Sequence, residues 1–148
     1  LIAGAERSPL LRGIITVAAH VFVEPGCVEA IEQVKASYLE GGLRRALQRY
    51  HGDKTDPLFA AWADTWTSAW FRAWNIEYLL PAIEAPSLVL QGRADQYGTP
   101  AQVDSITSHS GGPATPLLLE DCGHAPHREF PELTLDLMSC FINRVVRL

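Results

Sequence analysis

The chain has 148 residues, of which 47% are hydrophobic and 20% charged, and its formal net charge is -5. This length and composition are those of a globular domain with a sizeable core, and no apolar run approaches the roughly 20 residues of a membrane span. The acidic balance argues against a nucleic-acid-binding surface, because affinity for phosphate comes from clustered Lys and Arg. The three cysteines are odd in number and far apart, which favours a reducing compartment, the cytoplasm, over a disulfide framework.

The first predicted elements are a short helix over 1–6 and a strand over 13–19. The helix ends near Ser8-Pro9, because the residue before a proline is pushed out of the helical region. The strand run is rich in β-branched residues and too short for a stable helix. His20 follows the strand directly, so it is a candidate for a site at that edge of a sheet. A histidine bonded to the backbone at a strand end is the more ordinary alternative.

The next segment, up to about residue 78, is predicted to be helical. Glu24-Pro25 is typical of a helix start with proline at the first position, Gly41-Gly42 breaks that helix, and a second short helix follows. Asp56-Pro57 predicts an N-cap and a third helix that runs to about residue 74. On that helix four tryptophans at steps of four residues would sweep a face roughly 120° wide, which is an ordinary buried stripe. The functional alternative is that Trp66 and Trp70 line an apolar substrate pocket.

Two apolar runs, 87–91 and 115–120, predict fully buried parallel strands. The segment between them has helix length and begins with the capping pattern Thr99-Pro100-Ala101-Gln102. Parallel strands joined in this way end at the same edge of a sheet, which is where open α/β folds keep their sites. Asp95 follows the first run and His124 follows the second, so we expect their side chains to meet. A last helix opening at Pro131 is predicted to cover one face of the sheet.

An Asp and a His brought together in this way form two thirds of a catalytic triad. The Asp holds the imidazole in one tautomer and stabilises its charged form. The third member, a nucleophile, is not part of this pattern. Zinc bound by Cys122, His124 and His127 is a weaker interpretation, since a structural zinc site needs four ligands and no second Cys or His pair has suitable spacing. No metal and no cofactor are expected.

The order Asp then His, in QGRADQYGTPAQ and GHAPHREFPE, resembles the carboxyl-terminal half of an α/β-hydrolase fold protein. In that family the nucleophile, usually a Ser in a G-x-S-x-G motif on a strand-to-helix elbow, precedes both residues. No G-x-S-x-G motif occurs in this chain, so the resemblance implies that the nucleophile is missing from it. The resemblance implies that His124 is the base, that His127 is a structural partner, and that the chain is the portion of a hydrolase that follows the elbow. Residues 1–25 and 81–148 would form part of the core, with three strands of its parallel sheet, and 26–80 a helical cap inserted over the active site.

The resemblance implies a serine-type hydrolase that cleaves an ester or a related acyl or carbon–carbon bond. Asp95 and His124 would supply the acid and the base, and His20, Trp66 and Trp70 would contact an apolar small-molecule substrate. The expected partner is the missing amino-terminal portion of the same fold, with the nucleophile and the oxyanion hole, so the chain alone is expected to be inactive. Neither nucleic acid nor a membrane is an expected partner.

Two alternatives stay open at this point. One is a non-catalytic member of the same fold that binds an apolar small molecule. The other is a dehalogenase or epoxide hydrolase, in which the nucleophile is an Asp. The residue at the elbow would distinguish them, because Ser, Cys or Asp there favours an enzyme whereas Gly or Ala favours a binding module.

Overall fold

A computed structural model describes residues 1–146 and divides them into two compact units. The core unit comprises residues 1–22 and the chain from residue 75 onward, and the helical unit comprises residues 23–74. The sequence placed the corresponding boundaries after residues 25 and 80. The role of the helical unit as a cap stays a prediction.

The secondary structure is numbered along the whole chain. The core unit contains α1 (Ile2–Ala5), β1 (Ile14–Val17), a 3-10 helix (Glu77–Ala82), β2 (Ser87–Gly92), α5 (Pro100–His109), β3 (Ala114–Leu119), α6 (Pro126–Glu129) and α7 (Pro131–Val146). The helical unit contains α2 (Pro25–Leu39), α3 (Gly42–His51), a 3-10 helix (Gly52–Lys54) and α4 (Thr55–Thr67). Within residues 1–146, no helix is both long enough and apolar enough to cross a membrane.

The described strands form one parallel sheet in the order β1-β2-β3. Ser87 of β2 lies opposite Ile14 of β1 and Ala114 of β3, so all three strands run toward the same edge. The prediction of parallel strands linked by a helix is confirmed. The prediction that both apolar runs are fully buried is correct for β2 and wrong for β3, which is only half-buried. The reason is position, since β2 has a strand on each side and β3 lies at an edge of the described sheet.

Successive residues of β2 pack on opposite faces of the sheet, as the strand period of two requires. Val89 belongs to a buried cluster with Val103 and Ile106 of α5. Leu88 packs on the other face against Phe141 and Val145 of α7. The last helix therefore covers one face of the sheet, as predicted, and α5 covers the other.

The helical unit begins as the sequence indicates, with Glu24 preceding Pro25 at the first position of α2. The predicted N-cap at Asp56 is wrong, because α4 already begins at Thr55, whose hydroxyl donates to the carbonyl of Gly52 at 2.7 Å. The Asp56 carboxylate instead accepts two hydrogen bonds from Arg44, at 2.7 and 2.6 Å, and one from the Tyr38 hydroxyl. This network links α2, α3 and α4.

The predicted extension of α4 to residue 74 is also wrong, because the helix ends at Thr67. Ser68 adopts an extended conformation, and its hydroxyl donates to the carbonyl of Thr65 at 2.7 Å. Trp70 therefore lies beyond the helix and is 73% exposed. Trp66 is on the helix, with its ring edge-on to those of two aromatic neighbours in the following turn, Phe71 and Trp74.

Candidate active site

The loop after β2 carries Asp95 and is held by buried polar contacts. Gln91, the second-last residue of the strand, is buried, and its amide donates to the carbonyls of Gly98 at 2.6 Å and Thr99 at 3.1 Å. Thr99 is the N-cap of α5, as predicted, and its hydroxyl accepts the N–H of Ala101 at 3.2 Å. The loop is thus fixed both to the strand before it and to the helix after it.

The loop after β3 carries His124 and is bonded to the loop after β2. The N–H of Ala94 donates to the carbonyl of Cys122 at 2.9 Å. The approach is so close that a Cβ on Gly92 would lie 2.1 Å from the carbonyl oxygen of Gly123 and 2.2 Å from that of Cys122. A glycine at position 92 is therefore a condition for the two loops to meet.

Asp95 and His124 form a hydrogen-bonded pair at the carboxyl edge of the sheet. His124 Nδ1 lies 3.0 Å from both carboxylate oxygens of Asp95. The Asp95 side chain is fully shielded from solvent, whereas that of His124 is 39% exposed. A carboxylate can only accept, so Nδ1 carries the proton, and in the neutral ring Nε2 is left with a free lone pair. The sequence thus correctly placed the two side chains together; their catalytic roles stay a prediction.

The environment of Asp95 favours its ionised form. Burial raises the pKa of its carboxyl, but the hydrogen bond from His124 and the N–H groups of Tyr97 and Gly98 outweigh burial, so the pKa lies below its ordinary value. The N–H of Tyr97 donates to Asp95 Oδ1 at 2.8 Å. A buried carboxylate that stays charged is what an imidazole needs when it takes up a proton.

Two further rings surround His124. The ring of Tyr97 packs edge-on against the imidazole with centroids 4.7 Å apart. The sequence placed His20 directly after the first strand; β1 ends at Val17, and His20 lies three residues beyond it, with its ring centroid 6.4 Å from that of His124. The structure therefore brings His20 into the neighbourhood of the pair. Trp66 and Trp70 belong to the helical unit, and their part in a substrate pocket stays a prediction.

His127 and Cys122 do not form a ligand cluster with His124. His127 is exposed on α6, and Cys122 is completely buried. Burial, followed by the charges of Glu129 and Asp95, raises the pKa of the Cys122 thiol, which disfavours the thiolate that a metal binds. In the part of the chain that the structure describes, no group of three or more His, Cys, Asp or Glu side chains is arranged to hold a metal ion.

Sequence reasoning missed two residues of the site. The sequence indicates Gln91 only as the end of a strand. A usable signal was its polar side chain at the end of a buried apolar run, because a buried polar group needs hydrogen-bond partners. Glu129 accepts the N–H groups of Gly123 at 2.7 Å and Ala125 at 3.0 Å, one on each side of His124. Nothing in the sequence pointed to Glu129, because its partners are backbone groups.

Comparison with known proteins supports the fold. Neither a family model nor a curated protein matches the sequence, but solved structures do. A membrane phospholipase A described as a bacterial virulence factor has a TM-score of 0.70 at 22% identity, over 98% of this chain and 53% of its own. CarC, a serine hydrolase involved in carbazole degradation, has a TM-score of 0.68 at 16% identity, over 95% and 57%.

A third structure is MGS-M2, an alpha/beta hydrolase enzyme from a Medee basin deep-sea metagenome library. It has a TM-score of 0.61 at 17% identity, over 95% of this chain and 59% of its own. The chain therefore has the α/β-hydrolase fold, and it corresponds to the carboxyl-terminal part of that fold, as the resemblance implied. It spans 53–63% of the length of eight solved structures that it matches.

Proposed function

We propose that this chain supplies the acid and the base of a serine-type hydrolase that cleaves an ester or a related acyl or carbon–carbon bond. The observation that supports this most strongly is the pairing of a shielded, ionised Asp95 with Nδ1 of a partly exposed His124. Each residue lies on the loop after one of two neighbouring parallel strands, which is the position of the triad acid and base in this fold. The nucleophile and the oxyanion hole belong to the segment that precedes these elements in such hydrolases.

The chemistry assigned to the pair follows from the tautomer that Asp95 fixes. Nε2 of His124 takes the proton from the nucleophile's hydroxyl as that oxygen attacks the substrate carbonyl, and the Asp95 carboxylate stabilises the imidazolium that forms. His124 then gives the proton to the leaving group, and an acyl-enzyme results. In the second half of the reaction His124 takes a proton from water as the water oxygen attacks the acyl carbon. The bond between that carbon and the nucleophile's oxygen then breaks, His124 returns the proton to the nucleophile, and the carboxylic acid is released.

The proposal extends to the substrate and to the helical unit. We assign an apolar small-molecule substrate, with His20 beside the imidazole and Trp66 and Trp70 as apolar wall residues. Residues 23–74 would then act as the cap over the site. In this scheme the enzyme is cytoplasmic, which is supported by the odd number of cysteines, three, because an odd set far apart in sequence does not suggest a disulfide framework.

Mutation of the pair in the full-length protein tests the proposal. Hydrolysis of a panel of p-nitrophenyl esters of increasing acyl length is measured for the wild type, Asp95→Asn and His124→Ala. Because Asn at the acid position leaves the imidazole in the wrong tautomer, we expect kcat to fall on the order of 10⁴-fold for Asp95→Asn, and at least as far for His124→Ala.

His127→Ala is the matched control, since His127 is three residues from His124 but exposed and outside the pair. It should keep the wild-type rate. Ester hydrolysis that survives in a folded His124→Ala variant would overturn the proposed function. A wild type that binds the esters without turning them over would favour the non-catalytic binding module.

A further inference from the structure

We propose that Glu129 is a positioning residue that fixes His124 for its reaction, and this rests on the proposed function. The carboxylate of Glu129 binds the backbone on both sides of His124, whereas the imidazole of His124 is bonded to Asp95. Its Oε2 accepts the N–H of Gly123 at 2.7 Å, and its Oε1 accepts the N–H of Ala125 at 3.0 Å. The two oxygens of one side chain therefore bind the Cys122–Gly123 and His124–Ala125 peptide groups, which bracket Gly123 and His124.

These two bonds restrict the backbone of Gly123 and His124. The φ and ψ angles of these two residues are the only soft torsions between the two bonded peptide planes, so holding both N–H groups on one carboxylate limits the direction in which the imidazole leaves the chain. Hydrogen bonds to an ionised acceptor are roughly twice as strong as neutral ones. The two N–H groups hold the pKa of Glu129 below its ordinary value, against burial and the charge of Asp95, while the charge of His124 assists them.

Glu129 is itself held in place through α6 and α7. It is the last residue of α6, and its own N–H donates to the carbonyl of Ala125 at 3.0 Å, which closes a short ring around the turn. The buried hydroxyl of Thr134 on α7 donates to the carbonyl of Pro126 at 3.0 Å. Since α7 packs on the sheet through Phe141, these contacts connect the sheet to Glu129 and, through its two hydrogen bonds, to the backbone around His124.

The Glu129 carboxylate packs closely against Gly123, at a position where a side chain would crowd it. A Cβ at that position would lie 3.1 and 3.3 Å from the two Glu129 oxygens, so the carboxylate fits against the bare glycine. The same peptide approaches Gly92 from its other side. The loop is thus clamped between Glu129 and the end of β2.

The test compares Glu129→Ala and Glu129→Gln with Glu132→Ala in the full-length protein. Glu132 is an exposed glutamate one turn further along, in the first turn of α7, and serves as the matched control. The direct readout is the deshielded Nδ1 proton of His124 in the NMR spectrum, assigned by its loss in His124→Ala. The second readout is the separate effect of each change on kcat and KM.

We expect Glu129→Ala to weaken or abolish the Nδ1 signal and to lower kcat on the order of 100-fold, with KM unchanged, because a misplacement of about 1 Å costs that much. Glu129→Gln keeps one acceptor oxygen and should recover part of both, and it also serves where the Ala variant is too unstable to purify. Glu132→Ala should match the wild type. A wild-type Nδ1 signal and kcat in both folded Glu129 variants would overturn the proposal, as would a loss confined to KM.

Failure of this inference is distinguishable from failure of the proposed function. If the wild type hydrolyses no ester, the hydrolase assignment fails, but the Nδ1 signal still reports whether Glu129 positions the imidazole. If the wild type is active and Glu129→Ala keeps both its signal and its rate, only the positioning role fails.

Discussion

Substitution of Gly92 by alanine is expected to force apart the two loops that carry Asp95 and His124. The new Cβ would lie 2.1 Å from the carbonyl oxygen of Gly123, whereas ordinary contacts begin at 3.4 Å, so one backbone must move by about 1.3 Å. The obstacle is main chain, which cannot rotate away as a flexible side chain does. The same shift strains the hydrogen bond from Ala94 to Cys122, now 2.9 Å long.

The size of the effect follows from these two contributions. Overpacking costs about 1–3 kcal/mol, and a weakened backbone hydrogen bond adds roughly 1 kcal/mol. A loss of about 3 kcal/mol corresponds to a fall in melting temperature of roughly 6–12 °C for a protein of this size. A displacement of about 1 Å between the acid and the base also predicts a fall in kcat on the order of 100-fold.

Thermal unfolding followed by circular dichroism measures the stability, and ester hydrolysis measures the rate. Gly42→Ala is the control, because Gly42 begins α3 and a Cβ there meets nothing within 4 Å; it should leave stability unchanged or raise it by about 0.4–1 kcal/mol. A Gly92→Ala protein that melts within about 2 °C of the wild type, with wild-type kcat, would refute the geometry described for the two loops.

Three further predictions test other parts of the account. The pKa of Asp95 is lowered in the folded protein, so its ionisation stabilises the fold above pH 3.8, the ordinary pKa value, and this contribution is lost as pH falls through the lowered pKa. The difference in unfolding free energy between the wild type and Asp95→Asn should therefore shrink in acid. A difference that widens in acid would contradict the ionised state assigned to Asp95. Asp56→Asn should lower the melting temperature more than Asp53→Asn, since of these two residues only Asp56 accepts hydrogen bonds from Arg44 and Tyr38. Added salt should narrow the difference between the two melting temperatures, because the Arg44–Asp56 ion pair is half-exposed. Residues 1–148 expressed alone should hydrolyse no p-nitrophenyl ester; turnover abolished by His124→Ala would show that the chain contains its own nucleophile.

Much of the core unit could be predicted from the sequence, because a buried strand is recognisable from its pattern of residues. The run that forms β2 is apolar, bounded by turn residues, and buried throughout, so pattern and structure agree. Asp95 and His124 could be placed together because parallel strands end at one edge, and the polar residues after two such strands have few other places to lie. The Thr99 cap was equally readable, since its partner is only two residues away.

The errors fall where local chemistry has two outcomes. Asp56 before a proline is typical of an N-cap, but in the folded protein its carboxylate is captured by Arg44 and Tyr38, residues far from it in sequence. The predicted end of α4 is too late because the tryptophan spacing continues past Thr67. In the structure Ser68 is extended and its hydroxyl donates to the carbonyl of Thr65, which ends the helix. Glu129 could not be found, because a side chain that binds backbone amides leaves no complementary residue type in the sequence.

A double-mutant cycle on kcat in the full-length protein tests the central claim, that Asp95 and His124 act as one unit, most directly. If Asp95 works only through the imidazole, the Asp95→Asn/His124→Ala double variant should be no slower than His124→Ala alone, because residues that act as a unit are strongly non-additive. Losses that multiply, so that the double variant is slower than His124→Ala by the full factor that Asp95→Asn shows by itself, would contradict the account.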